Sequence, residues 1–473
     1  MKLCAYLGAL ILVGACSDSS PAEPSQPEDL GLQEDVEVAV TPSVHNTLSC
    51  VVEWRTDEPA VSWVEVARVE GGPIEFTLAT SKSPNKAASH RVIVAGLWTG
   101  DFQLRPAWTM DGQTVTRGPA QPFTAAPPPS HITPAEVITL DPSTASETWV
   151  LTQGGGAEPW VPGPTTAVIL DREGRVRWYA EHPTGPGSLA TLINGGSAVL
   201  LAAGSVVKEL DFAGETLWTS PAEPPGEYTW WAARDGSWHH DFRKLANGNY
   251  SVLRVEGGDG PARDILVEMN PDGERVWEYD TAAISEAVGT TCFGSAGMLD
   301  PDWGKAWYAS RNAGIVAQVD MATKGIDWIL GAKGTLAHGE GDWAWFTDPH
   351  APVMLAKDRI LLVDSSTADI GRTRVVEYVI ANGVATQVWE FPPASNTADA
   401  WYTPGGGNAE RLANGNTAFS GIEAGANGGL DYSGARFMEV TPEGDVVAFT
   451  RVSGSRLFYR AQRIPPLLTP IEE

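Results

Sequence analysis

Short runs of alternating hydrophobic and polar residues follow one another from about Thr41 to Ala125, and turn residues separate them. The segment SCVVEWRTDEPAVSWVEVARV holds two such runs, HRVIVAGL a third and GDFQLRPAWTM a fourth, and VTRGPAQPFTA closes the set. A period of two places alternate side chains on one face of a strand, and runs at this spacing are typical of a β-sandwich. We therefore predict a β-sandwich over residues 41–126.

A loose repeat begins near Thr148 and continues along the rest of the sequence. Each unit has a turn followed by a strand with an aromatic residue, and the six units are Asp171–Trp178, Asp211–Trp218, Asn270–Trp277, Asp320–Trp328, Asn382–Trp389 and Thr441–Phe449. Their aromatic residues are 40, 59, 51, 61 and 60 positions apart, and no helical periodicity longer than a turn lies between them. Six units of about four strands each predict a six-bladed β-propeller over residues 148–473, so the fold class is all-β.

One pentapeptide recurs within this repeat region. Leu-Ala-Asn-Gly-Asn is present at 245–249 and again at 412–416, and a degenerate copy spans 355–359. Asn-Gly at its centre favours a tight hairpin turn with positive φ, so the copies predict the same turn in different blades. His240 and His350 each lie five residues before such a turn. This spacing predicts that both histidines occupy equivalent strand starts and face each other at one end of the central channel.

Other interpretations of the histidines stay open. A single histidine in a blade is most often a hydrogen-bonded structural residue. We keep that interpretation for His45, His90, His131, His182 and His338, and treat His239 as a candidate partner of the neighbouring His240. Zinc or copper is the competing use of paired imidazoles, but the sequence has no His-Glu-x-x-His string and no Cys-x-x-Cys pair, and we predict no metal site.

Composition narrows the range of partners. The formal net charge is -27, from 59 acidic and 32 basic residues, and a surface this acidic repels phosphate backbones. We therefore predict no nucleic-acid partner, and a small anionic substrate would need a local positive pocket. Cys50 falls in an apolar strand pattern, which predicts a buried and inert thiol.

The first residues predict export and lipid anchoring. Residues 1–15 contain one positive charge, Lys2, then an apolar run and small residues before Cys16, which is the layout of a lipoprotein signal peptide. Residues 16–40 are rich in Ser, Pro and acids, so we predict a disordered tether. Residues 127–147 are predicted to be a Pro-rich linker with the first propeller strand region. We expect lipid attachment at Cys16 and a location at the periplasmic face or the surface of a bacterial envelope. The sequence does not determine the oligomeric state.

Several segments, taken in order, resemble a known family. The strings Trp238–Arg243 with Leu245–Asn249, Ala309–Asn312 with Trp328–Gly331, and Phe346–His350 with Ile360–Asp364 are similar to motifs of the bacterial aryl-sulfate sulfotransferases. The likeness covers most of residues 148–473, and that family also has a β-sandwich before a six-bladed propeller. Within the sandwich, Trp54–Ala60 and His90–Leu97 resemble a fibronectin type III module.

The resemblance implies transfer of a sulfuryl group from an aryl sulfate to a phenol without a cofactor. It implies that His350 is the nucleophile that takes the sulfuryl group, and that His240 and Arg311 bind its oxygens. A neutral imidazole is a competent nucleophile at pH 7. Fixed cationic donors such as arginine hold a sulfonate group whose charge is spread over three oxygens.

One segment departs from the family pattern. The family has a further histidine before the arginine, and the best local match, Thr291–Ser295, has Cys292 at that position. A thiol with a pKa of about 8.5 is mostly neutral at pH 7 and is a poor substitute for an imidazolium. Cys292 and His239 are therefore secondary candidates for substrate binding, and we expect activity to be reduced, redirected or lost. The alternative is a non-catalytic propeller that binds a ligand or a protein partner at the cell envelope. A quinone-dependent redox propeller has no supporting motif.

Overall fold

The computed structural model describes residues 29–155, 165–182, 187–203, 206–221, 238–257, 263–341, 343–365, 372–392, 403, 405–424, 432–453 and 457–471. The predicted signal peptide and the lipid-attachment residue Cys16 lie outside these residues. The described chain is almost entirely β-sheet, with an N-terminal sandwich and six propeller blades, which confirms the predicted fold class. Its helices are one α-helix, Ala282–Val288, and one 3-10 turn, Asn194–Gly196. Neither has the length and apolar character needed to cross a membrane.

The N-terminal sandwich is organised around one long strand, Cys50–Arg68, that takes part in both sheets. Its first half pairs with Ala39–Pro42 and Ala87–Val94, and its second half pairs with Leu78–Ala79 and Gly100–Thr109. Every second side chain at the start of this strand, Cys50, Val52 and Trp54, points into the core, as the period of two predicts. Burial raises the pKa of the Cys50 thiol to about 12, so this cysteine is inert.

The predicted tether is wrong at its C-terminal end. Asp29–Leu32 forms a strand that pairs in parallel with Val115–Arg117, and Ala39 and Val40 already belong to the first strand of the sandwich core. Low hydrophobicity argues against a packed core, but an edge strand needs only backbone partners, and the free edge of the sheet supplies them. Gln121–Ala125 completes the sandwich by pairing with Gly100–Thr109.

Each propeller blade is an antiparallel sheet of four strands whose first strand lines the central channel. In order from the channel outwards, the strands are Leu457–Ile464, Trp149–Gly155, Thr165–Leu170 and Val176–His182 in blade 1; Gly187–Ile193, Ala198–Ala203, Val206–Asp211 and Thr216–Thr219 in blade 2; Trp238–Lys244, Tyr250–Glu256, Arg263–Met269 and Arg275–Asp280 in blade 3; Gly294–Asp300, Lys305–Ser310, Ile315–Asp320 and Ile326–Leu330 in blade 4; Pro349–Ala356, Arg359–Asp364, Arg374–Ala381 and Val384–Phe391 in blade 5; and Asn408–Arg411, Thr417–Ala424, Tyr432–Val440 and Val446–Ser453 in blade 6. Ala337–His338 adds an edge to blade 5, and Glu136–Leu140 adds one to blade 6.

The ring of blades is closed in blade 1, where strands from the two ends of the propeller sequence pair with each other. Leu457–Ile464, from the C-terminal part, forms the inner strand of blade 1 beside Trp149–Gly155. The chain then returns to the sandwich, where Thr469–Pro470 pairs with Leu78–Ala79. Sandwich and propeller also share one hydrophobic cluster, and the Arg177 guanidinium stacks on Trp98 of the sandwich and Trp149 of blade 1.

The repeated turns predicted from the sequence join the third strand to the fourth strand in every blade. Four of the repeat tryptophans donate an indole N–H to a backbone carbonyl in the corresponding turn of the next blade. These bonds run from Trp178 to Phe212, from Trp218 to Pro271, from Trp277 to Met321 and from Trp389 to Pro442. The repeated turns and tryptophans therefore connect neighbouring blades at the outer edge of the propeller. The copies at 245–249 and 412–416 form the same turn in two blades, as predicted, and Gly248 and Gly415 have positive φ. Each turn joins the inner strand of its blade to the second strand.

Candidate active site

The inner strands begin at one end of the channel, and five of the six are irregular there. Register shifts occur near Gly187, between Trp238 and Phe242, near Gly294, after His350 and opposite Gly154. Bulges of this kind turn side chains away from the regular alternation and are common beside active sites.

The two histidine segments correspond with an offset of one residue from the prediction. His240 and Ala351 both have positive φ, of 57° and 44°. The structural equivalent of His350 is therefore His239, and His240 corresponds to Ala351. The sequence comparison was wrong by one residue because the inner strand of blade 5 has an additional bulge at Leu355. The bulge adds one residue between His350 and the turn that follows it. The imidazoles nevertheless converge, since the rings of His240 and His350 both contact Tyr459, with ring centroids 5.9 and 5.0 Å apart.

His350 is held in one tautomer. Its Nδ1 lies 2.7 Å from the carbonyl oxygen of Gly407, which can only accept, so Nδ1 carries the hydrogen. Gly407 has φ of +85°, and a Cβ there would lie 2.5 Å from the backbone oxygen of Ser420, so only glycine fits. Burial, and then the positive charge of Arg460, hold the pKa of His350 well below its usual value. Neutral His350 thus keeps its lone pair on Nε2, where the Tyr459 hydroxyl donates at 2.7 Å.

His239 and His240 form a hydrogen-bonded chain that ends on a buried carboxylate. The two Nδ1 atoms are 2.6 Å apart, and His239 Nε2 lies 3.0 Å from Oδ1 of Asp264. Asp264 is 1% exposed, and its other oxygen accepts hydrogen bonds from the Gly294 amide and the Tyr308 hydroxyl. Burial and the neighbouring His239 hold the pKa of His240 well below its usual value.

Two arginines place positive charge around these imidazoles. Arg311 follows the second strand of blade 4, has half of its side chain exposed, and pairs through Nε with Asp348 at 2.7 Å. Arg460 is 5% exposed, pairs with Asp241 at 3.2 Å, and donates to the Ser295 carbonyl at 3.0 Å. Both arginines are close enough to depress the pKa of the two channel histidines. Two guanidinium groups, each paired with an aspartate, therefore lie beside the imidazoles at this end of the channel.

The segment that departs from the family pattern presents a phenylalanine to the site. Cys292 is 3% exposed and packs in the hydrophobic cluster between blades 3 and 4, where burial raises its pKa. Phe293, the next residue, stacks on His239 with a centroid distance of 5.4 Å and lies 6.0 Å from the His240 ring. Within this segment, the Phe293 ring packs against both imidazoles.

One cavity lies away from the channel end. It measures about 490 Å³ and lies in the sandwich beside the stacked rings of Trp54 and His90, and none of the predicted site residues lines it. Among the described residues, no group of three or more His, Cys, Asp or Glu side chains is arranged to hold a metal ion.

The sequence model of the arylsulfotransferase (ASST) family matches residues 161–460. The chain belongs to the arylsulfotransferase family. The match includes the inner strands of all blades except blade 1, whose inner strand extends past its end, and it contains His239, His240, Cys292, Arg311 and His350. No curated protein sequence matches the chain.

Two solved structures that resemble this arylsulfotransferase family member do so distantly. A protein of unknown function from Bacteroides caccae is 14% identical over 67% of this chain and 99% of that chain, with a TM-score of 0.44. A putative 6-phosphogluconolactonase from Bacteroides fragilis is 12% identical over 86% of this chain and 99% of that chain, with a TM-score of 0.38. Scores this low carry no argument about function.

Four contributors to the site were missed in the sequence. Tyr459 and Arg460 come from the C-terminal strand that closes blade 1, and Asp264 comes from a segment with no motif of its own. Asp348 lies within the motif Phe346–His350, but the sequence did not single it out as a site residue. For the two aspartates, the only possible signal was that a buried acid needs a partner arginine or histidine. A sequence with 59 acidic residues offers too many such pairs for that signal to be useful. The sequence-predicted His239, His240, Arg311 and His350 are brought to one end of the channel.

Proposed function

We propose that this arylsulfotransferase family member moves a sulfuryl group from an aryl sulfate to a phenol through a sulfo-histidine at His350. The observation that carries the proposal is the fixed tautomer of His350, with Nδ1–H on Gly407 and the lone pair on Nε2. Nε2 attacks the sulfur, the bond between sulfur and the aryl oxygen breaks, and the phenolate leaves. An acceptor phenol then attacks the sulfur, the N–S bond breaks, and the phenolic proton is released.

Tyr459 and the arginines fit this chemistry. The Tyr459 hydroxyl occupies the lone pair of Nε2, so it must rotate away when the donor binds. Arg311 has an exposed half and reaches the histidines electrostatically, and a forked guanidinium suits sulfonate oxygens. Phe293 is 36% exposed and offers a ring face for an aryl group.

The test is turnover of 4-nitrophenyl sulfate with excess phenol, followed by the absorbance of nitrophenol. We expect His350→Ala to lower the rate by roughly 10³-fold or more, because the nucleophile is removed. His338→Ala, on the exposed edge strand of blade 5, is the matched control and should retain the rate. A peptide containing His350 should gain the mass of one SO₃ group after quenching. Absence of nitrophenol release by the wild type with several aryl sulfates would contradict the proposal.

A second candidate function is non-catalytic binding of an aryl sulfate or a related aromatic anion. Phe293 beside the imidazoles favours it, since an aromatic ring binds an aryl group without supplying a proton. In that case 4-nitrophenyl sulfate would raise the melting temperature and release no nitrophenol.

We also propose that the protein is exported and anchored by lipid on Cys16, as the residue pattern of positions 1–16 favours. Radiolabelled palmitate should be incorporated into the wild type and not into Cys16→Ser. Labelling of both proteins, or of neither, would contradict the anchor.

A further inference from the structure

We propose that Asp264, His239 and His240 form a proton relay that accepts the proton of the incoming phenol. The inference rests on the proposed sulfuryl transfer and assigns the acceptor half of that reaction to a second set of residues. The relay consists of the Asp264 carboxylate, both ring nitrogens of His239 and Nδ1 of His240, joined by two hydrogen bonds.

The hydrogen positions follow from the fixed end of the chain. The Asp264 carboxylate accepts from Gly294, Tyr308 and His239, so His239 Nε2 carries a hydrogen. In neutral His239 the lone pair is then on Nδ1, which accepts from Nδ1–H of His240 at 2.6 Å. Neutral His240 consequently has its lone pair on Nε2.

The surroundings explain why His240 needs partners. Burial and the nearby cationic groups disfavour an imidazolium at His240. A proton taken up at Nε2 of His240 can be accompanied by transfer from His240 Nδ1 to His239 Nδ1, and from His239 Nε2 to Asp264. Both imidazoles are then neutral again, and the added proton neutralises the Asp264 carboxylate.

The proton balance closes over one turnover. The acceptor oxygen bonds to the sulfur of sulfo-His350, the N–S bond breaks, and the phenolic proton passes to Nε2 of His240 and along the relay. The next leaving phenolate, or water, takes that proton back. His240 is then a catalytic residue, and His239 and Asp264 are positioning residues that set its tautomer.

The relay makes a specific prediction for Asp264→Asn. The asparagine oxygen can still accept from Gly294 and Tyr308, and its amide group then faces His239 Nε2. This reverses both imidazoles, so His240 Nε2 carries a hydrogen and cannot take the phenolic proton. A carboxylate-to-amide change that imposes the wrong tautomer can cost several orders of magnitude in rate.

The experiment separates the two half-reactions by rapid mixing with 4-nitrophenyl sulfate. We expect Asp264→Asn to keep the nitrophenol burst of about one per active site, since the burst reports sulfation of His350. Steady-state turnover should fall roughly 10²-fold or more with weakly acidic alkylphenols as acceptors, and less than about 10-fold with acidic halogenated phenols, which are already ionised.

Tyr308→Phe is the matched control, because it removes one hydrogen bond from the same carboxylate without reversing a tautomer. Its loss should be below about 10-fold with every acceptor. If Asp264→Asn does not fold, His239→Gln interrupts the relay at its centre, with the same expected dependence on the acceptor. An intact burst with equal loss for all acceptors would overturn the relay alone. Absence of a burst in the wild type would overturn both the relay and the sulfuryl transfer.

Discussion

The rim and the channel of the propeller use the same strands in opposite ways. At the rim, the strand pair beside each repeated turn has the same one-residue register shift in all six blades, and in four blades an indole N–H donates to the next blade. At the channel end, five inner strands have shifted register, and His240 and Ala351 have positive φ. The rim repeats because each blade must meet its neighbour in the same way. The channel end varies because each blade contributes a different side chain to one site.

This difference predicts that stability and chemistry can be altered separately. Rim substitutions should weaken the fold and leave any transfer reaction intact. Channel substitutions should affect charge and proton positions, and their effect on stability should depend on burial. The following changes test this separation, from the largest expected effect to the smallest.

Arg460→Met at the channel should have the largest effect on stability. Arg460 is nearly buried and pairs with Asp241, which is fully buried, so its removal leaves that carboxylate to Arg243 alone. Breaking a buried pair typically costs roughly 3–5 kcal/mol of unfolding free energy. Urea unfolding followed by circular dichroism measures this cost. Arg263→Met, at a rim pair with Asp280 in which both side chains are nearly half exposed, is the control and should cost less than about 1 kcal/mol. Equal costs would show that the rim and channel pairs do not differ.

Asp348→Asn should change the pH dependence of stability. Burial is the main cause that raises the pKa of Asp348 to about 6, against the effect of Arg311. The folded protein thus binds this proton more tightly than the unfolded chain, so the contribution is present at about pH 4 and is lost as pH rises to about 6. The unfolding free energy of the wild type relative to Asp348→Asn should fall by about 2–3 kcal/mol across this range.

The matched rim carboxylate is Asp320, which lies in a repeated turn. Its hydrogen bonds with Lys305 and Thr323 hold its pKa below the ordinary value. The corresponding difference between wild type and Asp320→Asn should therefore be flat from about pH 4 to 7. A flat curve for Asp348→Asn as well would contradict the assignment of Asp348 as a group whose ionised form is disfavoured by burial.

Trp178→Phe tests the rim itself. Trp178 is fully buried, and its indole donates to the Phe212 carbonyl at 2.9 Å, so the change removes a hydrogen bond and leaves a small cavity. We expect a loss of about 2 kcal/mol in unfolding free energy and an unchanged rate of nitrophenol release. Trp389→Phe breaks the same type of bond at a more exposed site, and should cost about 1 kcal/mol. A rate that falls together with stability would contradict the separation of rim and channel.

The sequence predicted the rim far better than the site. The repeat Asp171–Trp178 and its five relatives identified six blades, because each blade needs one turn and one packing residue at the same place. His239, His240, Arg311 and His350 were found by motif and do meet. Their register was wrong by one residue, since a bulge at Leu355 changes spacing without leaving a recognisable pattern in the sequence.

The sequence by itself determined the all-β class, the number of blades and the position of the repeated turns, because these depend on local periodicity and turn chemistry. Only the tertiary structure decided that Tyr459 and Arg460 of the closing strand meet His350, that Asp264 ends the histidine chain, and that Phe293 packs against the imidazoles. Those contacts depend on ring closure and on bulges, which join residues far apart in sequence and have no local signal.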